Sequence, residues 1–243
     1  MEKVGYKRIW GPLLISMLLS APVSSQESTL TPFSQMQSLN DGWEPLEFPK
    51  IDQLSRYELT TEDGQQVVRA TTDGGASGLI ARVRLEPTDS LILQWRWKVS
   101  NVFENGDARE KSGDDYPARI YVAFEFQPEK AGFFERAKRK TVEVLFGESL
   151  PGNALNYIWA NTLPKGEIVP NPYTEKTMMI AVNSGSEQVG EWVTVERDIM
   201  ADYREAFGEE PPPVVGIAIM SDSDNTGEKA TAWYGDILLN PDS

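Results

Sequence analysis

The sequence predicts an all-β protein, a jelly-roll β-sandwich with one or two short helices inserted. Two observations carry this expectation. Short runs of alternating apolar and polar residues recur along the chain, the period of a strand with one face buried. Clusters of Gly, Pro, Asn and Asp separate them, and these residues make turns.

The elements follow in order. Residues 66–70 form a first run, closed by the turn-rich Thr71, Thr72, Asp73, Gly74 and Gly75. Leu79, Ala81, Val83 and Leu85 then alternate with Ile80, Arg82 and Arg84. The clearest strand is 91–99, where Leu91, Leu93, Trp95, Trp97 and Val99 share one face and Gln94, Arg96 and Lys98 the other. In 118–126, Ile120, Val122, Phe124 and Phe126 oppose Arg119, Tyr121 and Glu125. Further strands are expected at 155–160, 177–183, 192–197, 214–221 and 231–239. The 214–221 run is apolar on both faces until Ser221, as a central strand requires. Pro211, Pro212 and Pro213 stiffen the approach to it. Ile199, Tyr203, Ala206 and Phe207 have helical spacing, with Asp198 placed to cap and Gly208 to terminate. Residues 129–146 also read as helical, with a basic middle of Lys130, Arg136, Lys138, Arg139 and Lys140.

The N-terminus reads as a secretory signal over residues 1–25. Lys3, Lys7 and Arg8 precede a short apolar run, and Val23, Ser24 and Ser25 offer small residues for cleavage. The remainder, 26–243, reads as one β-sandwich domain. A periplasmic or secreted location is therefore expected, with no stable membrane insertion after cleavage.

The chain of 243 residues has no Cys and no His. Thiol nucleophiles, disulfides, imidazole bases and Ser-His-Asp triads are excluded, and so are the usual zinc sites. Its formal charge is −14, a field that repels phosphate backbones, so nucleic acid is not an expected partner. What remains for chemistry is carboxylate, Tyr, Lys, Arg, hydroxyl and oxygen-bound cations.

Three segments stand out. Asp114 and Asp115 sit in a turn before a strand whose parity places Asp115, Arg119 and Tyr121 on one side. Carboxylate, guanidinium and phenol together suit sugar hydroxyls; an internal Asp–Arg pair tying the turn to the sheet is the plainer alternative. Tyr157 and Trp159 share a face, and would stack on sugar rings if that face lines a groove, or pack in the core if it does not. The run Asp222, Ser223, Asp224, Asn225, Thr226, Gly227 resembles the first half of an EF-hand-type loop. Its closing position, however, is Trp233 rather than Glu. With Asp236 as the nearby closing acid, Asp222, Asp224 and Asp236 form the candidate Ca²⁺ set; a polar Asx turn is the alternative.

Several runs taken together resemble one exported bacterial family, catalogued as domain of unknown function 3047. They are LQWRWKV at 93–99, GDDYPARIYV at 113–122, LNYIWA at 155–160, PNPYT at 170–174, GIAIMSDSDNTG at 216–227 and YGDI at 234–237. The resemblance implies an exported single-domain protein and supplies no activity. The last strand also resembles the closing strand of galactose-binding-like and carbohydrate-binding sandwiches, in which an acid near Asp236 can ligate a structural calcium. Asp41, Gly42 and Trp43 fit that pattern loosely.

The resulting expectation is non-catalytic binding of a saccharide or other envelope component on a polar sheet face. Arg96, Asp115, Arg119 and Tyr121 would form that face, with Tyr157 and Trp159 as stackers. A carboxylate-dependent glycosidase or polysaccharide lyase is one alternative; an envelope structural or adaptor protein using the basic segment 129–146 is another.

Overall fold

The computed structural model describes residues 30–48, 51–130, 132 and 152–240. The leader read at 1–25 lies outside them, as does most of the helical segment read at 129–146.

Among the described residues, twelve strands form two sheets. They are β1 (Glu44–Leu46), β2 (Arg56–Glu62), β3 (Gln65–Asp73), β4 (Ala76–Leu85), β5 (Ile92–Val99), β6 (Arg119–Phe124), β7 (Ala154–Ala160), β8 (Ile168–Asn171), β9 (Thr174–Ser184), β10 (Val193–Asp198), β11 (Val214–Asp222) and β12 (Lys229–Leu239). One sheet has seven strands in the order β1-β4-β11-β6-β7-β9-β8, and the other has five in the order β10-β5-β12-β3-β2. All pairings are antiparallel except β7 with β9. This is the jelly-roll sandwich that the alternating runs predict.

The aromatic residues of β5 face inward as expected. Trp95 and Trp97 are buried between the sheets, in one core cluster with Ile120, Val122, Phe124, Ile217 and Ile219. Trp95 lies 5.3 Å from Tyr157 and Trp97 6.0 Å from Trp159, centroid to centroid, so this contact ties the two sheets together. Trp97 also donates its indole N–H to Asn183 Oδ1 at 2.9 Å, which satisfies a polar atom inside the core.

Among the described residues there is one α-helix, α1 (Ile199–Phe207). Asp198 Oδ1 accepts from the N–H groups of Met200 and Ala201 at 3.0 and 3.2 Å, and Gly208 ends the helix at φ 68°. The β2–β3 hairpin was not read from sequence. Its signal is Asp63-Gly64, both at positive φ, the turn chemistry of a two-residue hairpin.

A second, smaller apolar cluster lies on the outer face of the seven-stranded sheet. Ala108 and Tyr116, from the long β5–β6 connection, pack onto Ile158, Ala160, Met179 and Ala181. This connection therefore covers part of the face where the polar cluster sits. It turns sharply at Gly113, where a Cβ would meet Asp107 N at 2.5 Å.

Candidate functional site

Alternation along β6 points Ile120, Val122 and Phe124 inward and Arg119 and Tyr121 outward. On the outer face Arg119 stands between Met220 of β11 and Ile158 of β7, and Tyr121 between Ala218 and Asn156. Arg119 is 4% exposed. Its Nη2 donates to Asp222 Oδ2, and its Nη1 lies 3.7 Å from Asp114 Oδ1. The guanidinium carbon sits 5.2 Å from the centroid of the Tyr116 ring and 5.3 Å from that of Tyr121, within cation–π range of both.

Asp115 does not pair with Arg119. It holds the loop after β11: its Oδ2 accepts from the N–H groups of Asn225 and Thr226 at 3.0 and 2.6 Å, and its Oδ1 accepts from Asn225 Nδ2 at 2.9 Å. Asp114 accepts from Asn171 Nδ2 at 2.8 Å. Two turns and one hairpin thus converge on Arg119. The partners of the guanidinium are one residue before, and far after, the one that parity suggested.

Electrostatics follow from burial and crowding. Burial pushes the Asp222 carboxyl well above the usual range, against the pull of the Arg119 guanidinium. Burial raises Asp114 as well, again opposed by Arg119, and Asp224 is raised by burial and then by Asp115. Burial works against the charge of Arg119, but Asp222, Tyr121 and Asp114 outweigh it and hold the guanidinium protonated.

The cluster carries many unused hydrogen-bonding atoms. Among the described residues, seven buried side-chain polar atoms lack a hydrogen-bond partner, and six belong here: Asp114 Oδ1, Tyr116 OH, Arg119 Nε and Nη1, Asn156 Oδ1 and Asp222 Oδ1. Some of these face one another, as Arg119 Nη1 and Asp114 Oδ1 do at 3.7 Å; buried polar groups are nearly always satisfied, so this concentration makes the cluster the candidate site.

At the rim stands Tyr173, at the tip of the β8–β9 hairpin and 56% exposed. Its hydroxyl lies 2.9 Å from Asn225 Oδ1 and 3.1 Å from the Lys111 carbonyl, and the Lys111 ammonium sits 5.2 Å from its ring centroid. Tyr173 is a functional candidate that the reading of the sequence passed over. An aromatic residue after Asn171-Pro172, at a hairpin tip where a core side chain has no place, was the available signal.

The remaining expected residues lie elsewhere. Arg96 projects from β5 on the outer face of the five-stranded sheet, 4.5 Å from the Trp192 centroid, so it cannot share a recess with Arg119. Tyr157 and Trp159 are 0% exposed and face the core. Both faces of β7 are buried, which hides the cue by which parity would sort them. Tyr157 OH donates to Asp202 Oδ2 at 2.7 Å and Trp159 Nε1 to the Gly185 carbonyl at 3.1 Å. Neither can stack on a ligand.

Asp236 leaves the metal set as well. A bulge sets Gly235 and Asp236 between the register pairs of Tyr234 with Trp97 and Ile237 with Trp95. The Asp236 carboxylate there accepts from Ser34 N and Oγ at 2.8 and 2.7 Å. The residue that joins Asp222 and Asp224 is Asp115, with one oxygen of each within 4.8 Å of the others.

The structure therefore defines a jelly-roll β-sandwich with a buried Arg–carboxylate cluster on the outer face of its larger sheet. The chain belongs to the family described as protein of unknown function DUF3047, which it matches over residues 41–238. A search of curated proteins gave no match. Among solved structures it is similar to a family 11 carbohydrate-binding module from Clostridium thermocellum in complex with a β-1,3-1,4-mixed-linked tetrasaccharide (10% identity, 87% of this chain and 93% of that one, TM-score 0.41). It is also similar to TmCBM61 in complex with β-1,4-galactotriose (9% identity, 86% and 98%, TM-score 0.33). A third is the cellulose induced protein Cip1 (10% identity, 86% and 94%, TM-score 0.40).

Proposed function

We propose that the protein binds a saccharide without altering it, at the Arg119 cluster and its Tyr173 rim. The observation that carries this reading is the mixed set of open atoms. Arg119 Nε and Nη1 are donors, Asp114 Oδ1, Asp222 Oδ1 and Asn156 Oδ1 are acceptors, and Tyr116 OH can be either. Each sugar hydroxyl is both donor and acceptor, so adjacent hydroxyls match such a set, whereas a phosphate or carboxylate would meet repulsion from the acids. The ligand class is accordingly a neutral saccharide. Tyr173 adds an exposed aromatic ring beside the cluster, and an aromatic face suits the apolar face of a sugar.

The binding reading is favoured over hydrolysis by the placement of the acids. Glycosidases set two carboxyl groups on either side of an open cleft. Asp114 and Asp222 instead lie on one guanidinium, Asp114 Oδ1 3.7 Å from Nη1 and Asp222 on Nη2, rather than facing each other across a gap. Cavities of about 190 and 240 Å³ lie elsewhere, one lined by Asn153, Tyr203 and Glu209 and the other by Ser55, Tyr57 and Ser77. The export signal read at residues 1–25 would bring the protein to saccharides of the cell envelope.

A glycan array probed with the full processed chain and with Tyr173→Ala tests this. The expected result is a discrete set of neutral glycans bound by the wild type and at least tenfold weaker binding by the variant, with unchanged thermal unfolding. Absence of any bound glycan, equal binding by Tyr173→Ala, or cleavage of a bound glycan seen by mass spectrometry would overturn the proposal.

A further inference from the structure

We propose that Asp115, Asp222 and Asp224 form a divalent-cation site suited to Ca²⁺, at the edge of the Arg119 cluster. The site shares Asp222 with the saccharide reading, but it is tested with the metal alone, so either can fail without the other. One oxygen from each carboxylate lies within 4.8 Å of the other two. Two oxygens on one ion lie at most twice a Ca–O distance of about 2.4 Å apart, and all three pairs meet that limit; Mg²⁺, at about 2.0–2.1 Å, requires a tighter set.

A second observation points to a ligand at the same place. Asp222 is 1% exposed, and its Oδ1 has no hydrogen-bond partner. Its other oxygen is held by Arg119 Nη2. A buried carboxylate oxygen without a donor is costly, and a cation supplies the missing partner.

The surrounding charge agrees. Asp114, Asp115, Asp222 and Asp224 gather near one buried guanidinium, and a dication held among them would favour the ionised carboxylates that burial opposes. Asp115 is already oriented by its bonds from Asn225 and Thr226. Asp224 is exposed and gives an ion a way in from solvent. Three carboxylates leave several of the six to eight oxygen positions of Ca²⁺ to water.

The test is calorimetric titration of CaCl₂ into the EDTA-stripped full chain, with MgCl₂ and NaCl of matched ionic strength as controls. Saturable binding of one Ca²⁺ is expected, with a rise in melting temperature larger than either control gives. Asp224→Asn should weaken Ca²⁺ binding at least tenfold with an unchanged circular-dichroism spectrum. Asp236→Asn, on the other sheet, should bind Ca²⁺ as the wild type does. Should Asp224→Asn fail to fold, tyrosine-sensitised Tb³⁺ emission from the wild type, displaced by Ca²⁺, is the required sign. No heat of binding, a thermal shift no larger than that from NaCl, Asp224→Asn binding unchanged, or binding lost in Asp236→Asn would each overturn the proposal.

Discussion

Replacing Arg119 with Met removes the guanidinium and keeps most of the aliphatic stem. It strands the Asp222 carboxylate, which is 1% exposed and has no other side-chain donor among the described residues. Breaking a buried pair from one side costs about 3–5 kcal/mol. Protonation limits the loss. Burial already raises Asp222 in the wild type, so the added pH-dependent loss comes from the further rise once Arg119 no longer pulls the carboxyl down, about 1.4 kcal/mol per unit of that rise, and it is larger at pH 7 than at pH 5. The sign is that of an acid whose folded pKa is raised: the cost is absent below the unfolded pKa and grows as pH rises toward the folded one. Urea unfolding at both pH values measures it, with an unchanged m-value as the sign that the unfolded state is the same. Adding Asp222→Asn to Arg119→Met removes the stranded charge and should recover most of the loss, a coupling that a double-mutant cycle reads directly. A loss below about 1 kcal/mol at pH 7, or an equal loss at pH 5 and 7, would refute the account of a buried, mutually dependent pair.

Two further outcomes are expected. Trp97→Ala should destabilise by about 3–5 kcal/mol through the cavity it leaves, while Trp97→Phe should cost about 1–3 kcal/mol, chiefly by stranding Asn183 Oδ1; urea midpoints near that of the wild type would show that Trp97 is not the cross-sheet core residue. Asp224→Asn, in the presence of EDTA, should match the wild-type melting temperature near pH 3 and exceed it at pH 7. Burial, and then the neighbouring Asp115, raises the folded-state pKa of Asp224, so the wild type loses stability as pH climbs past the ordinary carboxylate range, and the amide does not. A wild type more heat-stable than Asp224→Asn at pH 7 under those conditions would contradict that rise.

Strand period and turn chemistry are local properties, and they made much of the fold legible. The alternation in 91–99 placed Trp95 and Trp97 inside. The two-faced apolar run at 214–221 became β11, which is paired on both sides by β4 and β6. Asp198 and Gly208 bounded the helix. Outward parity was legible for Arg119 and Tyr121 and a loop position for Asp224, because each follows from neighbours a few residues away, whereas the meeting of Arg119 with Asp222 was not. β2 was missed although Asp63-Gly64 announced its hairpin, and β8 is short, four residues interrupted by Pro170.

What sequence alone determined, then, is which residues of a strand share a side. Which sheet a strand joins, and so which outer faces coincide, depends on pairings between residues distant in the chain, such as Arg119 with Ile158 and Met220 or Trp95 with Ile237, and no local pattern encodes them. Arg96 and Arg119 are both outward and yet lie on different sheets. The bulge at Gly235-Asp236 turned Asp236 toward Ser34, while the long connection before β6 brought Asp115 to the loop of Asp224. Tyr157 and Trp159 went to the core because β7 is covered on both faces, by the opposite sheet and by the β5–β6 connection, and burial by a distant segment leaves no periodic trace in the strand it covers.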